Sequence, residues 1–115
     1  MSKTQIFHNP RCSKSRQTLE ILNTEGEQPE IINYLDTPPD AKKISEILKM
    51  LNLSPRELMR TGEKIYKELE LSNVNNDDEL INAMVENPIL IERPIVISDG
   101  KAIIGRPPVL VKDIL

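Results

Sequence analysis

A single cysteine, Cys12, stands in the stretch His8-Asn9-Pro10-Arg11-Cys12-Ser13-Lys14-Ser15-Arg16. Cysteine reacts as the thiolate, and nearby cations or a helix N-terminus favour that form. Arg11, Lys14 and Arg16 lie within a turn of the sulfur. His8, four residues earlier across a proline-containing loop, could fold back toward it. Residues 1 to 16 also hold Lys3 and no acid. A lone cysteine is often a small buried hydrophobe, but apolar burial does not call for four cations and no carboxylate around it. The same charges, with the free N–H groups of a helix start, form a cradle for an anion, so a nucleophile and an oxyanion site coincide. The spacing from Cys12 to Arg16 is Cys-x3-Arg, which does not fit the Cys-x5-Arg loop of phosphatases.

Three further arginines are candidates. Arg93 and Arg106 each precede a proline, which keeps their backbone extended, and each flanks a predicted strand. Arg60 falls on a predicted helix face and reads equally as a site residue or a surface charge. Arg56 has no such context and reads as a solvated surface charge.

The elements that must position these residues follow from periodicity. Gln5-Ile6-Phe7 predicts a strand, residues 8–11 a loop, and Ser15, Leu19 and Leu22 one face of a helix that Gly26 stops. Cys12 therefore sits at a strand-to-helix junction. A second strand at residues 30–34 completes a βαβ unit with parallel pairing. Asp40 caps a helix with the apolar face Ile44, Ile47, Leu48 and Leu51. Ser54-Pro55-Arg56-Glu57 predicts a capping box opening a helix that carries Leu58, Met59 and Arg60 to a stop at Gly62. A short helix over 63–71 follows, then one capped by the run Asn76-Asp77-Asp78-Glu79, with Leu80, Ile81, Met84 and Val85 on its core face. Residues 95–97 and 101–104 flank an Asp99-Gly100 turn and predict an antiparallel hairpin. Gly105-Arg106-Pro107-Pro108 then leads into a last helix. The order predicts an α/β protein with a thioredoxin-like mixed four-stranded sheet and a helical insert between the second and third strands.

Composition narrows the partners. A chain of 115 residues suits one domain, 1–115, around one core. The net charge of −3 and only three aromatics exclude a nucleic-acid surface. One cysteine excludes an intrachain disulfide, and one histidine leaves too few soft ligands for a metal site. A reducing cytoplasm fits that cysteine usage. The N-terminus lacks the apolar core of a signal peptide, and no apolar run reaches the ~20 residues needed to span a bilayer. A soluble, unprocessed monomer is expected.

Three segments together resemble the glutaredoxin-coupled arsenate reductase family: residues 8–16, Tyr34-Leu35-Asp36-Thr37-Pro38-Pro39, and Asn87-Pro88-Ile89-Leu90-Ile91-Glu92-Arg93-Pro94-Ile95-Val96. The resemblance covers nearly the whole chain. It implies that Cys12 attacks arsenate, that His8 helps keep it ionised, and that Arg60, Arg93 and Arg106 bind the oxyanion; Ser13, Lys14, Ser15 and Arg16 of the loop are expected to line the anion cradle and bind it with them. It implies a cis peptide before Pro94. It also implies no bound cofactor, glutathione as co-substrate and glutaredoxin as partner. Where this chain reads Cys12-Ser13-Lys14-Ser15-Arg16, characterised members read Cys-Gly-Thr-Ser-Arg, and they continue beyond the last helix. The chain is most similar to the arsenate-reductase-related subgroup.

Two rival functions remain. Cys12-Ser13-Lys14-Ser15 is a Cys-x-x-Ser, as in monothiol reductases of glutathione mixed disulfides, although three arginines argue against that use. A related family of regulators that bind RNA polymerase shares the fold, but those commonly carry a Cys-x-x-Cys switch, and Ser15 occupies the second position here.

Overall fold

The structure is a computed structural model and describes residues 4–115, so Lys3 lies outside the described residues. The chain divides into two compact units, Met1–Thr37 with Arg93–Leu115, and Pro38–Glu92.

The first unit holds the sheet. Strands β1 (Gln5–His8), β2 (Glu30–Asn33), β3 (Ile95–Ser98) and β4 (Lys101–Ile104) lie in the order β2-β1-β3-β4. β1 runs parallel to β2, in register from Gln5–Glu30 to His8–Asn33, and antiparallel to β3. The parallel pair is joined by helix α1 (Ser13–Thr24), whose end is marked by Gly26 at φ +84°. There Gly26 N–H donates to Asn23 O at 3.1 Å and Glu27 N–H to Leu22 O at 3.0 Å, so the last carbonyls are satisfied. β3 and β4 are joined by Asp99 and Gly100 at φ +51° and +78°, the two-residue turn whose twist matches a hairpin. β3 is central and buried along its whole length. Ile6, Leu22, Val96 and Val111 form a fully buried cluster between sheet and helix, with Leu19, Ile21, Ile103 and Ile114 packed on it.

Two expectations change in this unit. His8 belongs to β1 and not to the following loop, because its backbone pairs opposite Asn33. The last helix, Pro108–Ile114, is a 3-10 helix, packed on α1 and β4.

The second unit is helical: α2 (Ala41–Leu51), α3 (Pro55–Leu58), α4 (Lys64–Glu68) and α5 (Asp77–Glu86), with short 3-10 turns at Leu71–Asn73 and Pro88–Leu90. Side chains cap the two long helices as their sequences require. Asp40 Oδ1 accepts from Lys43 N–H at 2.8 Å, and Asn76 Oδ1 accepts from Glu79 N–H at 3.1 Å. The capping box at α3 is present, with Ser54 N–H donating to Glu57 Oε1 at 2.9 Å. Ile44, Ile47 and Leu48 of α2 and Leu80, Ile81 and Met84 of α5 are buried, and α5 packs on both α2 and α3.

The sequence pattern overextends α3. It ends at Leu58, and Met59 is extended and bridged to Ile91. Arg60 N–H donates to Leu90 O at 2.7 Å and Glu92 N–H to Leu58 O at 2.9 Å, so a strand-like pairing with residues 30 to 34 positions away replaces the second helical turn. Arg60 is therefore not on a helix face. Arg56 is likewise not a solvated charge. Its Nη1 donates to Tyr66 Oη and, at 3.1 Å, to Leu71 O, and its Nη2 donates to Val74 O. One guanidinium ties α3 to α4 and to the 3-10 turn.

Among the described residues, no helix is long and apolar enough to cross a membrane.

Candidate active site

Cys12 is the residue that opens α1. It holds the N-cap position, extended at φ −95°, ψ +122°, and its carbonyl accepts the Arg16 N–H at 3.0 Å. The N-cap side chain faces the unpaired N–H groups of the first turn. In this helix that side chain is a sulfur. Burial pushes the thiol up, but the Ser15 N–H, the Arg93 guanidinium and the Lys14 N–H outweigh it, and Cys12 is held below the ordinary thiol value. The first turn of α1 carries no acid to oppose this.

The loop leading into the helix is built by Asn9 and Ser15. Asn9 O accepts the Cys12 N–H at 3.0 Å, and Asn9 Oδ1 accepts the Arg11 N–H at 3.0 Å. Asn9 N–H in turn donates to Ser15 Oγ at 3.0 Å. Ser15 is fully buried, and its Oγ also meets His8 Nδ1 at 2.6 Å. The Ser15 side chain is thus spent inside the loop, and only its N–H faces the sulfur. Burial, with the nearby charge of Arg16, pushes His8 below the usual histidine value and so favours the neutral ring. The groups that lower the Cys12 thiol do not include His8. Ser13, Lys14 and Arg16 are exposed. Arg16 Nη1 donates back to Pro10 O at 2.9 Å.

The two proline-preceding arginines reach the same sulfur. Arg106 Nη1 stands 3.8 Å from Cys12 Sγ and donates to Arg93 O at 3.2 Å. Both arginines precede cis peptide bonds, Arg93–Pro94 and Arg106–Pro107. Gly105 sets the approach. A Cβ there would lie 2.5 Å from Thr18 Oγ1 and 3.0 Å from Pro94 Cγ, and the Gly105 N–H donates to Pro94 O at 2.9 Å. Absence of a side chain lets the end of β4 close on α1 and carry Arg106 to the sulfur.

Arg60 lies in the helical unit. Burial works against its charge, but Glu63 and Glu92 more than compensate: Nε donates to Glu63 Oε2 at 3.1 Å and Nη1 to Glu92 Oε1 at 2.8 Å. Among the described residues no three of His, Cys, Asp and Glu come together as metal ligands.

Sequence reasoning missed Asn9 and Thr18. Asn9 was visible as an Asx-turn residue before proline. Thr18 carried no local signal, because its partner Gly105 is 87 residues away.

A mixed four-stranded sheet of this strand order, with a cysteine at the start of its first helix, defines a thioredoxin-like protein. The chain belongs to the ArsC family, whose profile matches residues 7–114 and so runs through both units. An Escherichia coli K12 protein described as uncharacterised, YfgD, is 53% identical over 98% of this chain and 97% of its own length. An arsenate reductase of Neisseria meningitidis serogroup B is 50% identical over 93% of each chain. The solved structure of an arsenate reductase from Vibrio cholerae superposes with a TM-score of 0.95 at 46% identity, over 97% of both chains.

Proposed function

We propose that the protein reduces arsenate to arsenite. The observation that carries this reading is the convergence of Arg93 and Arg106 on a Cys12 sulfur already favoured as thiolate. Thiolate and oxyanion repel, so the attack needs cations at the sulfur, and planar guanidinium groups match the oxygens of a tetrahedral oxyanion. The relatives described as arsenate reductases support the choice of oxyanion.

In the first step the Cys12 thiolate attacks arsenic, an S–As bond forms, and hydroxide leaves. The arginines and the first-turn N–H groups hold the remaining oxygens. The chain has one cysteine, so the second thiol comes from outside. Glutathione thiolate attacks Cys12 Sγ, an S–S bond forms, and the S–As electron pair passes to arsenic, which leaves as arsenite. Two thiols are oxidised to one disulfide while arsenic(V) becomes arsenic(III). Glutaredoxin then takes the glutathione from Cys12 by thiol–disulfide exchange. This chemistry requires a reducing compartment, and the cytoplasm supplies one.

His8 and Ser15 act here as positioning residues, holding the loop so that the first-turn N–H groups face the sulfur. Arg60 enters as an oxyanion ligand through the resemblance alone. Its variant Arg60→Ala tests that role.

The test mixes protein, arsenate, glutathione, glutaredoxin, glutathione reductase and NADPH, and follows NADPH loss together with arsenite. Arsenate-dependent oxidation that disappears in Cys12→Ser is the expected result. Oxidation driven by a glutathione mixed disulfide but not by arsenate would replace this reading with a monothiol reductase.

A further inference from the structure

Beyond the carboxyl ends of the parallel pair β1 and β2 lies a cavity of about 350 Å³, lined by Asn9, Pro10, Arg11, Asn33, Leu35 and Asp36. Its walls are the two loops that leave those strands, since His8 and Asn33 end them side by side. Open α/β sheets bind ligands in the crevice beyond the carboxyl ends of their strands, where neighbouring connections diverge. The cavity's first wall is also the loop that enters Cys12, whose N–H is held by Asn9 O at 3.0 Å. A molecule seated here is one residue along the chain from the nucleophile.

The lining is specific in charge. Arg11 supplies a guanidinium and Asp36 a carboxylate, and no hydrogen bond or ion pair joins the two. Asn33 Oδ1 is buried and has no hydrogen-bond partner among the described residues. A cation and an anion around one cavity complement a zwitterion. An ammonium is matched by the Asp36 carboxylate, and a carboxylate by the Arg11 guanidinium.

We propose that this cavity is the docking site for the α-amino-acid end of the resolving thiol, a γ-glutamyl thiol such as glutathione. The site rests on the reading that an external thiol resolves the Cys12 adduct, and it adds where that thiol is held. Anchoring the ammonium and carboxylate beside the Cys12 loop turns the attack on Cys12 Sγ into a reaction between two bound groups.

Two measurements test it. Arsenate reduction is followed with glutathione and, separately, with 2-mercaptoethanol, which has neither ammonium nor carboxylate. In Asp36→Asn and in Arg11→Gln the KM for glutathione rises about tenfold, as expected for loss of one charge-assisted hydrogen bond. The rate with 2-mercaptoethanol moves by less than about twofold in Asp36→Asn. Equal effects on the two thiols, or none on glutathione, would overturn the site.

The second measurement needs no turnover. S-methylglutathione, which cannot react, is titrated into ¹⁵N-labelled wild-type protein, and the amide shifts of Arg11, Asn33 and Asp36 move saturably. If they move in a protein that does not reduce arsenate, the docking site stands and the oxyanion reading fails. If they stay still in a protein that does, the oxyanion reading stands and the docking site fails.

Discussion

The Arg106 guanidinium stands 3.8 Å from the Cys12 sulfur while the same Nη1 donates to the Arg93 carbonyl at 3.2 Å. The contact joins residues 94 positions apart and places one cation at the sulfur through the backbone of a second arginine. Arg93 itself lowers the Cys12 thiol, both by hydrogen bonding and by its charge. The two arginines therefore have separable duties. Arg93→Ala raises the pH at which Cys12 ionises and lowers turnover. Arg106→Ala raises the KM for arsenate with a smaller change in thiol ionisation. Arg93→Lys keeps the charge and loses the planar fork, so it keeps most of the thiol effect and loses much of the turnover. Alkylation rate against pH and arsenate kinetics separate the duties.

Cys12 ionises below the free-thiol value near 8.5, since the Ser15 N–H and Arg93 outweigh the cost of burial. A depressed folded value means that the unfolded chain binds the proton more tightly. The contribution to stability is therefore fully present above the unfolded value and is lost as pH falls through the folded one. Denaturation midpoints of wild type rise with pH in that window, and those of Cys12→Ser do not. A parallel rise in both would remove the thiolate as the cause.

His8 titrates in the same sense for a different reason. Burial, and then Arg16, lower it, so acid must charge a ring that the fold holds neutral. Stability drops as pH falls below the unfolded histidine value near 6.5. In Ser15→Ala the His8 Nδ1 and the Asn9 N–H lose their shared partner, at a cost of about 1–3 kcal/mol. The Cys12 alkylation inflection moves upward in that variant because the first turn is no longer locked against the loop. A stability loss with an unmoved inflection would make Ser15 purely structural.

Gly105→Ala brings a methyl group to 2.5 Å from Thr18 Oγ1. The neighbour is the short side chain of a fully buried residue, so the strand end must move, at a cost of about 1–3 kcal/mol. Thr18→Ala/Gly105→Ala recovers part of the loss. Thermal denaturation of the two single variants and the double variant measures the coupling, and strict additivity would place the strain elsewhere.

Arg56→Ala removes donors to Tyr66 Oη, Leu71 O and Val74 O in one step. The expected loss is about 2–4 kcal/mol, read from denaturant midpoints, with the Cys12 alkylation profile unchanged.

Local chemistry was legible in the residues themselves. Asp40, Asn76 and the Ser54–Glu57 box act on groups three residues away, so the helix starts they mark are written in the sequence. Asp99-Gly100 is a turn for the same reason, since the pair tolerates positive φ within two residues. The placement of Cys12 at a helix start, and the cations beside it, were equally local. What failed depended on partners far along the chain. Met59 and Arg60 left the helix because residues 90–92 offered backbone pairing, and no periodicity in residues 54–62 records that offer. Arg56 resembled any surface arginine until three acceptors up to 18 positions away closed around it. Ser15 was expected to line the anion cradle, yet packing against the end of β1 turned its hydroxyl inward to His8 and Asn9 and left only its N–H for the sulfur. Residue types and spacing determined which reactive groups this chain carries and where its local turns and helix starts fall. The tertiary structure decided which atom of each group faces the site, because that choice is made by contacts between segments distant in sequence.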